Sequence, residues 1–209
     1  MLFYQASSFP INNTDMQRSA AEALMAQMSA RAHVAPKRLE APGPTTDELN
    51  LIFTAAAQAP DHGNLQPWRF ILIPQEKRSA LGKAFLQALQ ERDVNASETE
   101  LNTAYEKAFR APCLVLAVVN QGSSDHPVPE HERQISLGCA IQNMLLMAQA
   151  LSIGSGITSG QAMNSRFIRE AFRLTPTEKA ICYLAFGQVK KHKAKRNRAN
   201  AFETVSTME

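Results

Sequence analysis

Residues 113–119, CLVLAVV, constrain this chain more than any other stretch. Seven consecutive apolar residues, rich in β-branched side chains, predict a strand. Because polar residues never alternate with apolar ones, that strand must be covered on both faces. A second apolar run at 68–73, WRFILI, is bounded by Pro67 and Pro74 and reads as another buried strand, and a third follows at 180–186. Helical spacing marks the segments between them. Ala21, Leu24, Met25 and Met28 recur within residues 15–31. Thr45 and Glu48 form a capping-box pattern ahead of a helix through Leu49, Ile52, Phe53 and Ala56, which Pro60 stops. Further helices are expected over 76–92, 97–109, 132–151 and 165–172. The helix over 132–151 carries few charges on any side, so it is buried either by its own chain or by a second subunit. Residues 33–44 hold three prolines and read as extended loop. Helices and strands mix without strict βαβ alternation, which favours an α+β fold with a helix-covered sheet.

A chain of 209 residues fits one domain, here taken as 1–209 with an irregular arm at 1–14 and a basic C-terminal extension at 189–209. The formal net charge is +3, yet Lys190, Lys191, Lys193, Lys195, Arg196 and Arg198 alone contribute six cations, so the remainder is mildly acidic. A nucleic-acid binder spreads its cations over a face; these are local. Cys113, Cys139 and Cys182 are odd in number, far apart and set among apolar residues, the pattern of reduced thiols rather than a disulfide framework. The first residues lack a basic start and a long apolar run, and no stretch approaches a membrane span. A cytoplasmic protein bound neither to membrane nor to nucleic acid is expected.

Most familiar catalytic signatures are absent. Gly154–Gly160 is neither a dinucleotide-binding nor a P-loop pattern, and no G-x-S-x-G occurs. His131-Glu132 opens like a zinc helix, but Ile135 stands where the second histidine belongs.

Two loops keep a functional reading. The first, residues 59–70, sets His62, Asn64 and Gln66 between two prolines, just before a buried strand. Its amides both donate and accept, which suits the mixed edge of a flavin or nucleobase, and it reads equally as a turn rich in turn-forming residues. The second, Gly154 to Gly160, lets a backbone approach a flat ligand closely; a helix C-cap followed by a tight strand explains the same glycines. The run 190–198 is a phosphate clamp, a nucleic-acid contact or a solvated tail.

Taken in order, Ala59-Pro60-Asp61-His62, Gln66-Pro67-Trp68, Phe109-Arg110-Ala111-Pro112, Gly138-Cys139-Ala140 and Arg169-Glu170-Ala171-Phe172 resemble the nitroreductase family, in particular its short bacterial NAD(P)H nitroreductases. The resemblance spans about residues 42–188. It implies a nitroreductase-like α+β fold with a central mixed β-sheet flanked by helices, and a homodimer that exchanges terminal segments and holds FMN at its interface. It further implies ping-pong transfer of two electrons from NADH or NADPH to a small-molecule acceptor such as a nitroaromatic or quinone. Carried over by position, Gln58, His62, Asn64 and Gln66 contact the flavin from one side, and Ile157, Thr158 and Ser159 from the other. The flavin supplies the chemistry, so no side chain is assigned as acid or base.

One departure stands out. The family's Arg-Arg-Ser, which holds the flavin phosphate, is replaced by His33-Val34-Ala35. Arg31, His33 or Lys37 then stands in, or Lys193 and Arg196 of the basic tail take over the phosphate. The alternative is a nitroreductase-like dimer that has lost tight FMN binding and holds another ligand.

Overall fold

The computed structural model describes residues 13–123, 127–191 and 201–208. Its centre is the predicted strand, β3 (Cys113–Asn120), flanked by β2 (Trp68–Leu72) and β5 (Glu178–Val189), both antiparallel to it. On its far side β5 pairs with β4 (Gly154–Thr158) and with the two-residue β1 (Leu39–Glu40), again antiparallel. The expected mixed sheet is therefore corrected: among the described residues every strand pair is antiparallel, and the parallel component is one isolated bridge between His33 and Ser155.

The continuous apolar run has its predicted cause. Leu114, Leu116 and Val118 point into one core, Cys113, Val115, Ala117 and Val119 into another, and all are buried. Helices cover both faces. On one side lie α3 (Arg78–Arg92), α4 (Glu98–Glu106) and α6 (Arg166–Ala171); on the other lie α2 (Thr46–Ala56) and α5 (Glu130–Ala150). A β-bulge at Ile181 shifts the register between Ala117 and Val118, and beyond it Tyr183 points into the first core while Cys182 points into the second.

Capping explains where helices begin. Thr45 and Glu48 form the predicted box, and Ser97 with Glu100 forms a second one that starts α4. Arg78, fully buried at the start of α3, donates to the carbonyls of Ile73, Ala108 and Pro112. It thereby ties the end of α4 and the entry to β3 onto one side chain.

One expected boundary moves, and two open readings are decided. Residues 13 and 14, assigned to an irregular arm, begin α1 (Asn13–Ala30); residues 1–12 lie outside the described set. The stripe of α1 is real but points outward, with Leu24 53% and Met25 61% exposed. Of the two readings of the Gly154–Gly160 glycines, the tight strand holds: Gly154–Thr158 is an edge strand, and the reason is packing. A Cβ on Gly154 would lie 2.5 Å from Val189 Cγ2, and one on Gly156 2.1 Å from the Val34 carbonyl oxygen. These glycines admit neighbouring chain segments.

Candidate functional site

The loop between α2 and β2 is built to present side chains. Gly63, Asn64 and Gln66 all adopt positive φ, at 71°, 52° and 43°. For Asn64 and Gln66 that conformation costs on the order of 1–3 kcal/mol each, a strain that concentrates at functional loops. The Asp61 carboxylate accepts the Gln66 backbone N–H, closing the turn, and Pro67 O accepts from Asn120 N at 2.8 Å, fastening it to β3. Gln58, His62, Asn64 and Gln66 are consequently exposed although their backbone is held.

His62 is anchored to the long helix: its Nδ1 lies 2.7 Å from Glu132 Oε2. The pair is exposed and contributes at most about 1 kcal/mol, but it sets the distance between loop and helix. Sequence reasoning misses it, because Glu132 shows locally only as part of a failed zinc pattern. It misses a second pair as well. Arg69 on β2 reaches Glu178 at the start of β5 with Nε–Oε1 2.5 Å and a second bond of 3.0 Å. Hydrogen bonding to Arg69 holds the Glu178 carboxyl below the usual carboxylate range.

At the other end of the molecule His33 and Val34 run along β4, with Val34 N donating to Ser155 O at 2.9 Å. Arg31, His33, Ile157, Thr158 and Ser159 are thus brought to one edge. Ile157 is exposed on the α5 side of the sheet, where its ladder partner Leu184 packs; Thr158, opposite Tyr183, faces the other core. Lys193 and Arg196 lie outside the described residues. The chain enters that tail from β5 beside Arg38, whose carbonyl accepts from Lys190 N at 2.9 Å.

One chain does not bring the two residue sets together. From β4 to β2 the sheet crosses β5 and β3, three strand spacings or about 14 Å. Thr158 is level, through Tyr183 and Leu116, with Ile71, five residues along from Gln66 and so roughly 16 Å away in the strand direction. Each chain therefore holds the two residue sets at opposite ends of one sheet. Between them runs an incompletely covered face of α5: Ile135 is 63% exposed, and a Cβ on Gly138 would meet nothing within 4 Å.

An antiparallel sheet sandwiched between helix layers, with a strained amide-rich loop at one edge and a glycine-admitted strand at the other, defines an α+β protein of nitroreductase-like architecture. The chain belongs to the nitroreductase family, whose model matches residues 31–188. It is 34% identical over 152 residues to the Escherichia coli K12 protein named "Putative NAD(P)H nitroreductase YdjA", covering 72% of this chain and 80% of that one. A Haemophilus influenzae protein of like name is 34% identical over 151 residues, 72% of this chain and 81% of its own. Among solved structures, a nitroreductase-like family protein from Bacillus cereus superposes with TM-score 0.75 at 18% identity over 100% of this chain and 99% of the other. A Bacteroides fragilis nitroreductase with bound FMN gives TM-score 0.67 at 21% identity, covering 89% and 98%. No described helix is long and apolar enough to cross a membrane.

Proposed function

We propose that this protein is an FMN-dependent oxidoreductase, a homodimer in which each flavin lies between the 157–159 edge of one subunit and the 58–66 loop of the other. The observation that carries this reading is the separation of the two half-sites, which a two-fold partner laid on the open face of α5 would close. The exposed stripe of α1 supports the same arrangement, since Leu24 and Met25 lack cover from their own chain.

The residues fit the group. Asn64 and Gln66 offer amide donors and acceptors at a held backbone, suited to the pyrimidine edge of the flavin ring, where negative charge gathers on reduction. On the other half, Gly156 lets His33 and Val34 lie against β4, and a Cβ on Gly160 would meet nothing within 4 Å, so a flat ring can approach the backbone. His33 and Lys37 are exposed beside that edge in the place of the family's arginines, with the basic tail starting next to them. Bound there, FMN would supply two-electron, ping-pong chemistry between NADH or NADPH and a nitroaromatic, a quinone or a similar acceptor. The side chains bind and orient; none acts as proton donor or base.

A visible absorbance spectrum of the purified protein, with the cofactor identified after heat release, tests the reading. Flavin bands from FMN, bleached by NAD(P)H and restored by a nitroaromatic, are expected. A colourless protein that takes up no added FMN would overturn it and leave the fold alone.

A further inference from the structure

On the face of the sheet opposite Ile157 and α5 lies a cavity of about 310 Å³ that shares Thr158, Ser159 and Gly160 with the proposed flavin edge, while its floor and rim take no part in the flavin reading. It falls within the range of small-molecule sites, ~300–1,000 Å³. Its floor is apolar, made by Phe85 and Leu89 of α3 with Leu114 of β3. Tyr183 lines it, 3% exposed, and its hydroxyl is a buried polar atom with no hydrogen-bond partner among the described residues. The ring is held rigidly, edge-on to Phe85 with centroids 5.6 Å apart. Burial pushes the phenol pKa up, so the hydroxyl keeps its proton and remains a donor.

The mouth is cationic. Arg92, Lys107 and Arg110 line the cavity, no Asp or Glu does, and none of the three cations forms an ion pair among the described residues. The backbone carrying Lys107 and Arg110 is fixed by the Arg78 contacts to Ala108 and Pro112. An apolar chamber with an unsatisfied donor inside and guanidinium groups at the rim matches an anion with a flat apolar body. A guanidinium fork suits a carboxylate in particular.

We propose that this cavity is a binding pocket for a small aromatic carboxylate, its ring against Phe85 and Leu89, its polar edge reaching the Tyr183 hydroxyl, and its carboxylate on Arg110 and Lys107. Thr158 and Ser159 form part of its wall, so an occupant touches the strand end whose other face carries Ile157.

Calorimetric titration of the purified protein with 2-naphthoate and uncharged 2-naphthamide tests this without electron transfer, and variants at Arg110 and Lys107, which the flavin reading does not use, separate the two sites. The naphthoate is expected to bind and the amide about tenfold more weakly or less, the loss of one charge-assisted contact. Arg110→Ala and Lys107→Ala are each expected to weaken naphthoate by a similar factor. Tyr183→Phe is expected to weaken it severalfold while raising the Tm of the ligand-free protein by roughly 2–4 °C, because an unsatisfied buried hydroxyl is removed. Equal binding of acid and amide, no binding of naphthoate, or unchanged affinity in the three variants would overturn the proposal.

Discussion

Val34 and Gly156 lie so close that a Cβ at position 156 would sit 2.1 Å from the Val34 carbonyl oxygen. That contact lays the His33 segment along β4 and makes one half of the proposed flavin site a single unit. Gly156→Ala must push the two segments apart. It is expected to lower Tm and to weaken FMN by an order of magnitude or more, corresponding to about 1.4 kcal/mol or above. Gly160→Ala, at an extended φ of 170° and with open space around its Cβ, serves as the control that leaves stability unchanged. Thermal melts and flavin fluorescence titrations read both.

The second half-site depends on a strained turn held by one carboxylate. Asp61→Ala removes the acceptor for the Gln66 N–H, and a loss of about 1–2 kcal/mol in stability is expected. FMN affinity should fall with it, because Asn64 and Gln66 are then no longer held at positive φ. Gln66→Ala, by contrast, should weaken FMN while leaving Tm unchanged or slightly raised, since alanine removes an exposed side chain. Equal FMN affinity in both variants and the wild type would show that the loop does not face the cofactor.

The Arg69–Glu178 pair gives the fold a pH dependence. The Glu178 carboxyl sits below its ordinary range in the folded protein, so folding favours its ionised form. Its contribution is fully present above the unfolded value of ~4.3 and is lost as pH falls through the lower folded value. Arg69 is partly exposed, so the effect is modest, on the order of 1 kcal/mol. Urea midpoints of the wild type and Glu178→Gln, compared from pH 7 down to about pH 3, should begin to converge below the unfolded value of ~4.3 and converge further as the pH falls through the folded value.

Much of this is written in the sequence. Residues 113–119 announce a doubly covered strand, and Thr45 with Glu48 places the start of α2. What escapes is long-range. An apolar run looks the same in parallel and antiparallel sheets, because only burial on two faces is encoded, so it could not correct the mixed sheet that the family resemblance implies. Gly154–Gly160 is ambiguous because glycine marks close approach without saying what approaches; Val34, Leu39 and Val189 do. The pairing of His62 with Glu132 joins residues 70 apart, and no local pattern carries such a contact. The cavity beside Tyr183 is likewise assembled from α3, the end of α4, β3, β4 and β5, none of which signals it alone.

The thiols offer a check on the core. Burial pushes Cys113 and Cys182 up to about 11, so both stay protonated and shielded at neutral pH. Iodoacetamide at pH 8 is expected to spare both in the native protein and to modify them after denaturation, as mass spectrometry of the peptides would record. Cys139, half-buried on α5 beside Gly138, should under the proposed dimer react only as far as the subunits dissociate.

The proposed sharing of the flavin between subunits is tested most directly by a mixed dimer. One subunit carries Asn64→Ala with Gln66→Ala, the other Gly156→Val, and the two are separately tagged so that heterodimers are isolated. Each variant homodimer breaks both of its sites. In the heterodimer, an intact β4 edge meets an intact 58–66 loop at one site, and both defects fall in the other. Flavin absorbance per dimer is therefore expected to return to half the wild-type value. If the heterodimer binds no more flavin than either variant alone, each site lies within a single chain, and the flavin is not shared between subunits.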